Sequence, residues 1–224
     1  DLPESEKVNA FLPPFKPAYA LNPREPANLN TVTLPDVRMD VKGELAHGYM
    51  EIRYLLQEDL RLTLNAASDM EKRFNGIFGR GGDPFLEPYR CDDAEFVAVG
   101  LGSLTYQLRV SVDALRKEGI PVGVMGVRFY RPFPDEALAS ALKGKKGVIV
   151  FEKALSYGYE GALVSDLKSA LYEHLGGTGA LPQVQNFIAG IGGRDIHTRD
   201  LTQILRAATQ GRVAKDPLWI GLKL

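Results

Sequence analysis

The chain has 224 residues, 45% of them apolar and 25% charged, an ordinary globular composition with enough length for one full domain and substantial extra. Twenty-seven basic residues against 28 acidic ones leave a formal net charge of −1, which gives no electrostatic footprint for nucleic acid or a membrane surface. No apolar run approaches the roughly 20 residues of a membrane helix and no signal-peptide pattern is visible, so the expectation is a soluble, cytoplasmic protein.

The chain opens at Asp1 and reads as processed or as a piece of something larger. Seven of the 14 prolines fall within the first 35 residues, and Phe11–Pro26 reads F-L-P-P-F-K-P-A-Y-A-L-N-P-R-E-P. Prolines at this density fix φ and remove donors, which denies the segment both helix and central strand. A disordered tail is one reading. Phe11, Leu12, Phe15, Tyr19 and Leu21 are apolar enough for another, an extended arm lying on a domain or subunit surface.

Residues 44 to about 78 predict a long helix. Tyr49, Ile52, Leu56, Leu60, Leu64, Ala67, Met70 and Phe74 recur at three- and four-residue steps and share one face. Gly48 marks a later true start as an alternative. Gly76, Gly79, Gly81, Gly82 and Pro84 stop the helix, and the loop to Pro88 is the natural hinge.

From Glu95 onward the pattern is regular. Strands are predicted at Phe96–Leu101, Val122–Phe129, Val148–Phe151 and Val184–Ala189. They alternate with helices ending near Lys117, at Pro134–Leu142, Gly161–Leu175 and Thr198–Ala208. Short β-rich runs alternating with amphipathic helices predict an α/β fold: a three-layer αβα sandwich with a mostly parallel sheet.

Four strand-to-helix loops can carry chemistry. Gly100-Leu101-Gly102-Ser103 offers a close backbone approach and a helix N-terminus to an anion. Thr105 stands where a dinucleotide fingerprint needs glycine or alanine, and a tight turn capped by Ser103 is the plainer reading. Arg128 and Arg131, separated by Phe129 and Tyr130, can clamp a carboxylate or phosphate, or pair with acids across an interface. Glu152 ends the third strand and can act as an acid or base if buried, or join an interface ion pair. Gly190–Asp195 carries Gly192 and Gly193, which can cradle a phosphate beside Arg194. Asp195 or Thr198 can equally cap the last helix.

Cys91, the only cysteine, excludes an internal disulfide framework and a cysteine-held iron–sulfur cluster. Beside Asp92 and Asp93 its thiolate is disfavoured, and the side chain is expected to be inert. His47, His174 and His197 lie too far apart in sequence for a short-range zinc motif.

Several blocks in this order resemble the α subunit of 2-oxoacid:ferredoxin oxidoreductases, the pyruvate:ferredoxin oxidoreductase family. They are F-L-P-P-F-K-P at Phe11–Pro17, G-E-L-A-H-G-Y at Gly43–Tyr49, V-G-L-G-S at Val99–Ser103 and V-D-A-L-R-K-E-G at Val112–Gly119. V-R-F-Y-R-P-F-P at Val127–Pro134, V-I-V-F-E-K at Val148–Lys153 and I-A-G-I-G-G-R-D at Ile188–Asp195 complete the set. The resemblance implies that residues 1–86 are the tail of a pyrimidine-binding domain with a Pro-rich arm and long connecting helix. Residues 87–210 would be core domain II, similar to the C-terminal domain of transketolases, and 211–224 a C-terminal tail.

It further implies a coenzyme A-acylating oxidative decarboxylation of a 2-oxoacid, most often pyruvate, or its reverse. Thiamine diphosphate, magnesium, 4Fe–4S clusters and coenzyme A would serve the assembled enzyme, none bound by this chain alone. Partners would be β, γ and δ type chains, with ferredoxin or flavodoxin taking electrons. The catalytic glutamate of the family lies upstream of this stretch, so the piece would chiefly make intersubunit contacts and be inactive by itself. Arg128, Arg131, Gly192, Gly193 and Arg194 are the residues placed to meet coenzyme A phosphates or an interface. The rival reading is a stand-alone α/β nucleotide-binding module using the Gly100–Ser103 turn. A third is a pure scaffold subunit of a non-redox complex.

Overall fold

The computed structural model describes residues 4–12, 14, 38–39, 45–46, 49–211, 214 and 216–223. They fall into two units, residues 1–82 and 83–224.

In the first unit α1 (Ser5–Phe11) ends two residues before Pro13, where a helix cannot continue. It was not anticipated, since seven residues carry too little periodicity to declare a helix. Two short strands, β1 (Arg38–Met39) and β2 (Leu45–Ala46), pair antiparallel. The long helix α2 runs Tyr49–Phe78, so it starts after Gly48 and leaves Leu45 and Ala46 to the strand instead of its first turn. The remainder of the proline-rich segment, 13 and 15–26, lies outside the described residues.

α1 is held on α2 by aromatic packing. Phe11 meets Phe74 and Phe78 edge-on at 5.4 and 6.0 Å between centroids. Arg73 lies over the Phe11 ring and donates to the Ala10 carbonyl at 2.8 Å. On the expected apolar face Ala67 is buried, Leu60, Leu64 and Phe74 are half-buried, and Leu56 and Met70 are exposed.

The second unit is built on one six-stranded sheet in the order β3-β5-β4-β6-β7-β8. Its strands are β3 (Leu86–Tyr89), β4 (Phe96–Leu101), β5 (Val122–Val127), β6 (Gly147–Glu152), β7 (Gln183–Ile188) and β8 (Leu218–Trp219). All pairings are parallel except β3 with β5. Both edge strands were missed in the sequence. β3 is four residues with a proline, tolerable only at an edge, and β8 is two residues in the expected C-terminal tail.

Alternation along the strands builds two cores. Val97 and Val99 of β4, Met125 and Val127 of β5, and Val148 and Val150 of β6 face α4 (Asp135–Leu142) and α5 (Ala162–Leu175). Ala98, Val122, Val124, Ile149 and Phe151 point the other way, onto α3 (Ser103–Lys117) and α6 (Thr198–Thr209). Phe151 stacks on Phe187 of the neighbouring strand at 5.2 Å. Each such large side chain stabilises the fold by about 1.5–3 kcal/mol of transfer free energy. The result is a three-layer αβα sandwich with a mostly parallel sheet.

Candidate functional site

Every parallel strand ends on the same edge of the sheet, so the loops after β4, β5, β6 and β7 share one rim. The strand order reverses between β4 and β6, where open α/β sheets place ligands. A cleft of about 250 Å³ lies there, walled by Leu101, Leu104, Tyr130, Phe151, Glu152 and Ala162, among others.

The floor of that cleft is held by a buried carboxylate. Glu152, 4% exposed, accepts the N–H groups of Leu163 at 2.8 Å and Val164 at 3.3 Å, the first turn of α5. Asn186 of β7 donates its amide to Glu152 Oε1 at 2.8 Å and accepts the Gly161 N–H at 3.1 Å. Burial pushes the Glu152 carboxyl above the usual range. The Leu163 and Val164 amides and Asn186 pull it down, and nearby Glu160 adds to the rise. A free α5 N-terminus would attract an anion; here the protein supplies its own. Glu160 is buried as well, pairing with Lys168 and accepting from Ser165 Oγ at 3.3 Å. Sequence reading singled out Glu152 but neither of these partnerships, because Asn186 comes from another strand and Lys168 from the next helix.

The arginine pair after β5 is tied down within the chain. Arg131 pairs with Asp166 of α5 at 2.8 Å and lies 4.2 Å over the Tyr130 ring, an intramolecular pair in place of the acid expected across an interface. Arg128 donates to the Asp83 carbonyl at 2.9 Å. After β7, Ile191–Gly193 forms one 3₁₀ turn, with Gly190 and Gly192 in the left-handed region at φ 70° and 68°. Arg194 donates to the Gly221 carbonyl. The two groups of predicted residues are not brought together. β5 and β7 are separated by β4 and β6, three inter-strand spacings or roughly 14 Å.

The other loops differ from expectation in their caps. Gly102, at φ 58°, occupies the N-cap of α3, with Ser103 already helical. Thr105 turns back to the Gly102 carbonyl at 2.7 Å. At α6 the N-cap position is His197, with no side-chain cap from Asp195 or Thr198. Cys91 is buried, its thiol donating to the Val124 carbonyl at 3.1 Å. Burial raises its pKa, with Asp92 a lesser push in the same direction, so the expected inertness has a different leading cause. Among the described residues no cluster of three or more His, Cys, Asp or Glu can hold a metal ion. No helix there is long and apolar enough to cross a membrane.

Fold and rim together define an α/β domain whose strand-end loops are largely braced by internal contacts. Residues 94–201 match the model of pyruvate:ferredoxin oxidoreductase core domain II. Over the whole chain it is 34% identical to pyruvate synthase subunit PorA of Methanothermobacter thermautotrophicus, covering 52% of that protein. It is 35% identical to PorA of Pyrococcus abyssi, again over the whole chain and 54% of the relative. Ketoisovalerate oxidoreductase subunit VorA of Pyrococcus horikoshii is 34% identical over 97% of the chain and 53% of its own length. The chain thus belongs to the 2-oxoacid:ferredoxin oxidoreductase family and spans about half the length of the curated relatives it matches. The family is one of oxidoreductases that use thiamine diphosphate and iron–sulfur clusters, and these relatives are named as subunits.

Proposed function

We propose that the chain is the α-subunit portion of a 2-oxoacid:ferredoxin oxidoreductase that carries out coenzyme A-acylating oxidative decarboxylation, or its reverse, with pyruvate as the leading substrate. The observation that carries this is the similarity to PorA across the full 224 residues, beyond the core domain alone. In this reading residues 1–86 are the tail of the pyrimidine-binding domain, 87–210 core domain II, and 211–224 a C-terminal tail. The partners are β, γ and δ type chains in the cytoplasm, with ferredoxin or flavodoxin as electron acceptor.

The chain's own residues fit a contacting and bracing role better than a cofactor-holding one. A 4Fe–4S cluster takes four thiolates, and the single cysteine here is buried against a backbone carbonyl. Glu152, the buried carboxylate of the rim, is committed to capping α5. In this reading thiamine diphosphate, magnesium and the clusters are held by other parts of the enzyme and supply the decarboxylation and electron transfer there. Arg131 already has a carboxylate partner within the chain, Asp166, which argues against coenzyme A and against an ion pair across an interface alike.

Native mass spectrometry of the protein isolated from its own cells, with iron and thiamine diphosphate assayed on the same sample, tests the proposal. A particle containing other chains, iron and the cofactor is expected. A lone 24.6 kDa chain or its homodimer, free of both, overturns it.

A further inference from the structure

We propose that the turn after β7, with Arg194 and Lys153, binds the phosphate end of a small organic ligand whose apolar or aromatic part enters the adjoining cavity. This goes beyond the proposed function, which gives the turn after β7 no ligand.

Charge sets this place apart. In the same unit the guanidiniums of Arg90, Arg109, Arg116, Arg131 and Arg206 each meet a carboxylate at 2.6–2.8 Å. Arg194 does not: among the described residues its bond goes to the Gly221 carbonyl, which fixes the side chain but cancels no charge. A guanidinium has five N–H donors, and most of Arg194's remain for an anion. Lys153, at the end of β6, reaches across to the same turn. Its Cε lies 3.3 Å from where a Cβ on Gly190 would stand, and no acidic partner meets it among the described residues. Two cations with no counter-ion among the described residues thus flank one turn, Lys153 against Gly190 and Arg194 reaching from the turn to Gly221.

The backbone suits the same ligand. Gly190, Gly192 and Gly193 all have φ between 68° and 79°. At Gly192 and Gly193 an added Cβ would meet nothing within 4 Å, so packing does not demand glycine there; the left-handed conformation does. The Gly193 N–H closes the turn onto the Gly190 carbonyl at 3.3 Å, so the backbone contribution to anion binding falls to the other N–H groups of Gly190–Arg194.

Next to the turn lies a cavity of about 180 Å³ lined by Ile188, Ile191, Trp219, Ile220 and Leu222, with Arg194 at its edge. Its walls are mainly apolar, and Trp219 is 44% exposed. A bare phosphate satisfies the cations and leaves this space unused; a phosphate monoester with a ring satisfies both.

The test is a titration of the 224-residue chain, followed in amide and indole NMR spectra, with inorganic phosphate, phenyl phosphate, and sodium chloride at matched ionic strength. Phenyl phosphate is expected to shift the amides of Gly190–Arg194 and the Trp219 indole, and to bind about tenfold tighter than inorganic phosphate. Arg194→Gln and Lys153→Gln should each weaken it about tenfold. Trp219→Ala should remove the preference for the ring while leaving phosphate binding. Asp195→Asn, which deletes the neighbouring negative charge, should bind at least as tightly. Lys153→Gln leaves the Arg194–Gly221 bond in place, so it reads the charge without risk to the turn. Equal shifts from chloride, shifts confined to other residues, or wild-type affinity in both charge variants overturns the proposal. Equal affinity for the two phosphates overturns its ring part. Failure here with an intact oxidoreductase particle refutes the anion site alone, and the converse refutes the family role alone.

Discussion

Glu152 and Gly161 are fitted to one another: a Cβ on Gly161 would stand 1.8 Å from Glu152 Oε1. The absence of a side chain at residue 161 is what lets a strand-end carboxylate slide beneath the first turn of α5. Gly161→Ala should therefore eject Glu152 and uncap the helix, at a cost of about 3 kcal/mol or more. Urea unfolding measures this. In a double-mutant cycle with Glu152→Ala, the Gly161→Ala cost should fall by more than half, because the clash partner is gone. Additive losses contradict the pairing.

The Glu152 carboxyl also gives stability a pH dependence of definite sign. Burial holds its folded-state pKa above the unfolded value. The folded chain therefore takes up the proton first as pH falls. The contribution is fully present below the unfolded pKa and is lost as pH rises through the folded one. Replacing it with a group that does not titrate, Glu152→Gln, should flatten this part of the profile. Unfolding free energies of wild type and variant at mildly acidic and mildly alkaline pH provide the check. The gap between wild type and Glu152→Gln should move in the variant's favour at the higher pH.

Arg116 ties together a turn that no local signal organises. Its guanidinium, 13% exposed, pairs with both oxygens of Asp93 and donates to the carbonyls of Val122 and Arg90. Arg90 itself sits at φ 53°, a conformation that L-residues seldom adopt. Arg116→Lys keeps the charge but cannot span these acceptors, and should cost about 2 kcal/mol, with Arg116→Ala at least as damaging. Thermal unfolding reads the difference. A lysine variant as stable as wild type would mean that charge alone holds the turn.

The sequence declares the sandwich but not its fastenings. Val97, Val99, Val148 and Val150 alternate with Ala98, Ile149 and Phe151, and this strand period with helices between is legible in one dimension. Edge strands are not: Leu86–Tyr89 contains Pro88 and is too short to show a period, and Leu218–Trp219 acquires its strand identity only by lying beside Phe187 and Ile188. The rim is half legible for the same reason. Glu152, Arg131 and Arg194 are visible as polar residues at strand ends, but their partners Asn186, Asp166 and Gly221 lie 34, 35 and 27 residues away. Capping failed where glycine or histidine took the position that serine, aspartate or threonine was expected to fill. At α3 the left-handed Gly102 does so, and Thr105 folds back on its carbonyl.

The last relationship joins α1 to α2. Seven residues are too few for a helix to hold itself together in water, since nucleation is costly and only a few internal bonds follow. α1 therefore depends on Phe11, which meets both Phe74 and Phe78 and carries the Arg73 guanidinium over its ring. Phe11→Ala removes all three contacts and should release α1 while leaving α2 helical. Amide hydrogen exchange of residues 5–12 should accelerate at least tenfold, whereas exchange near Ala67, the buried point of α2, should stay within a factor of about two. Phe11→Leu, which keeps apolar contact but not the edge-on rings, should fall between them. Unchanged protection of residues 5–12 in Phe11→Ala would show that the Arg73–Ala10 bond suffices to hold the helix.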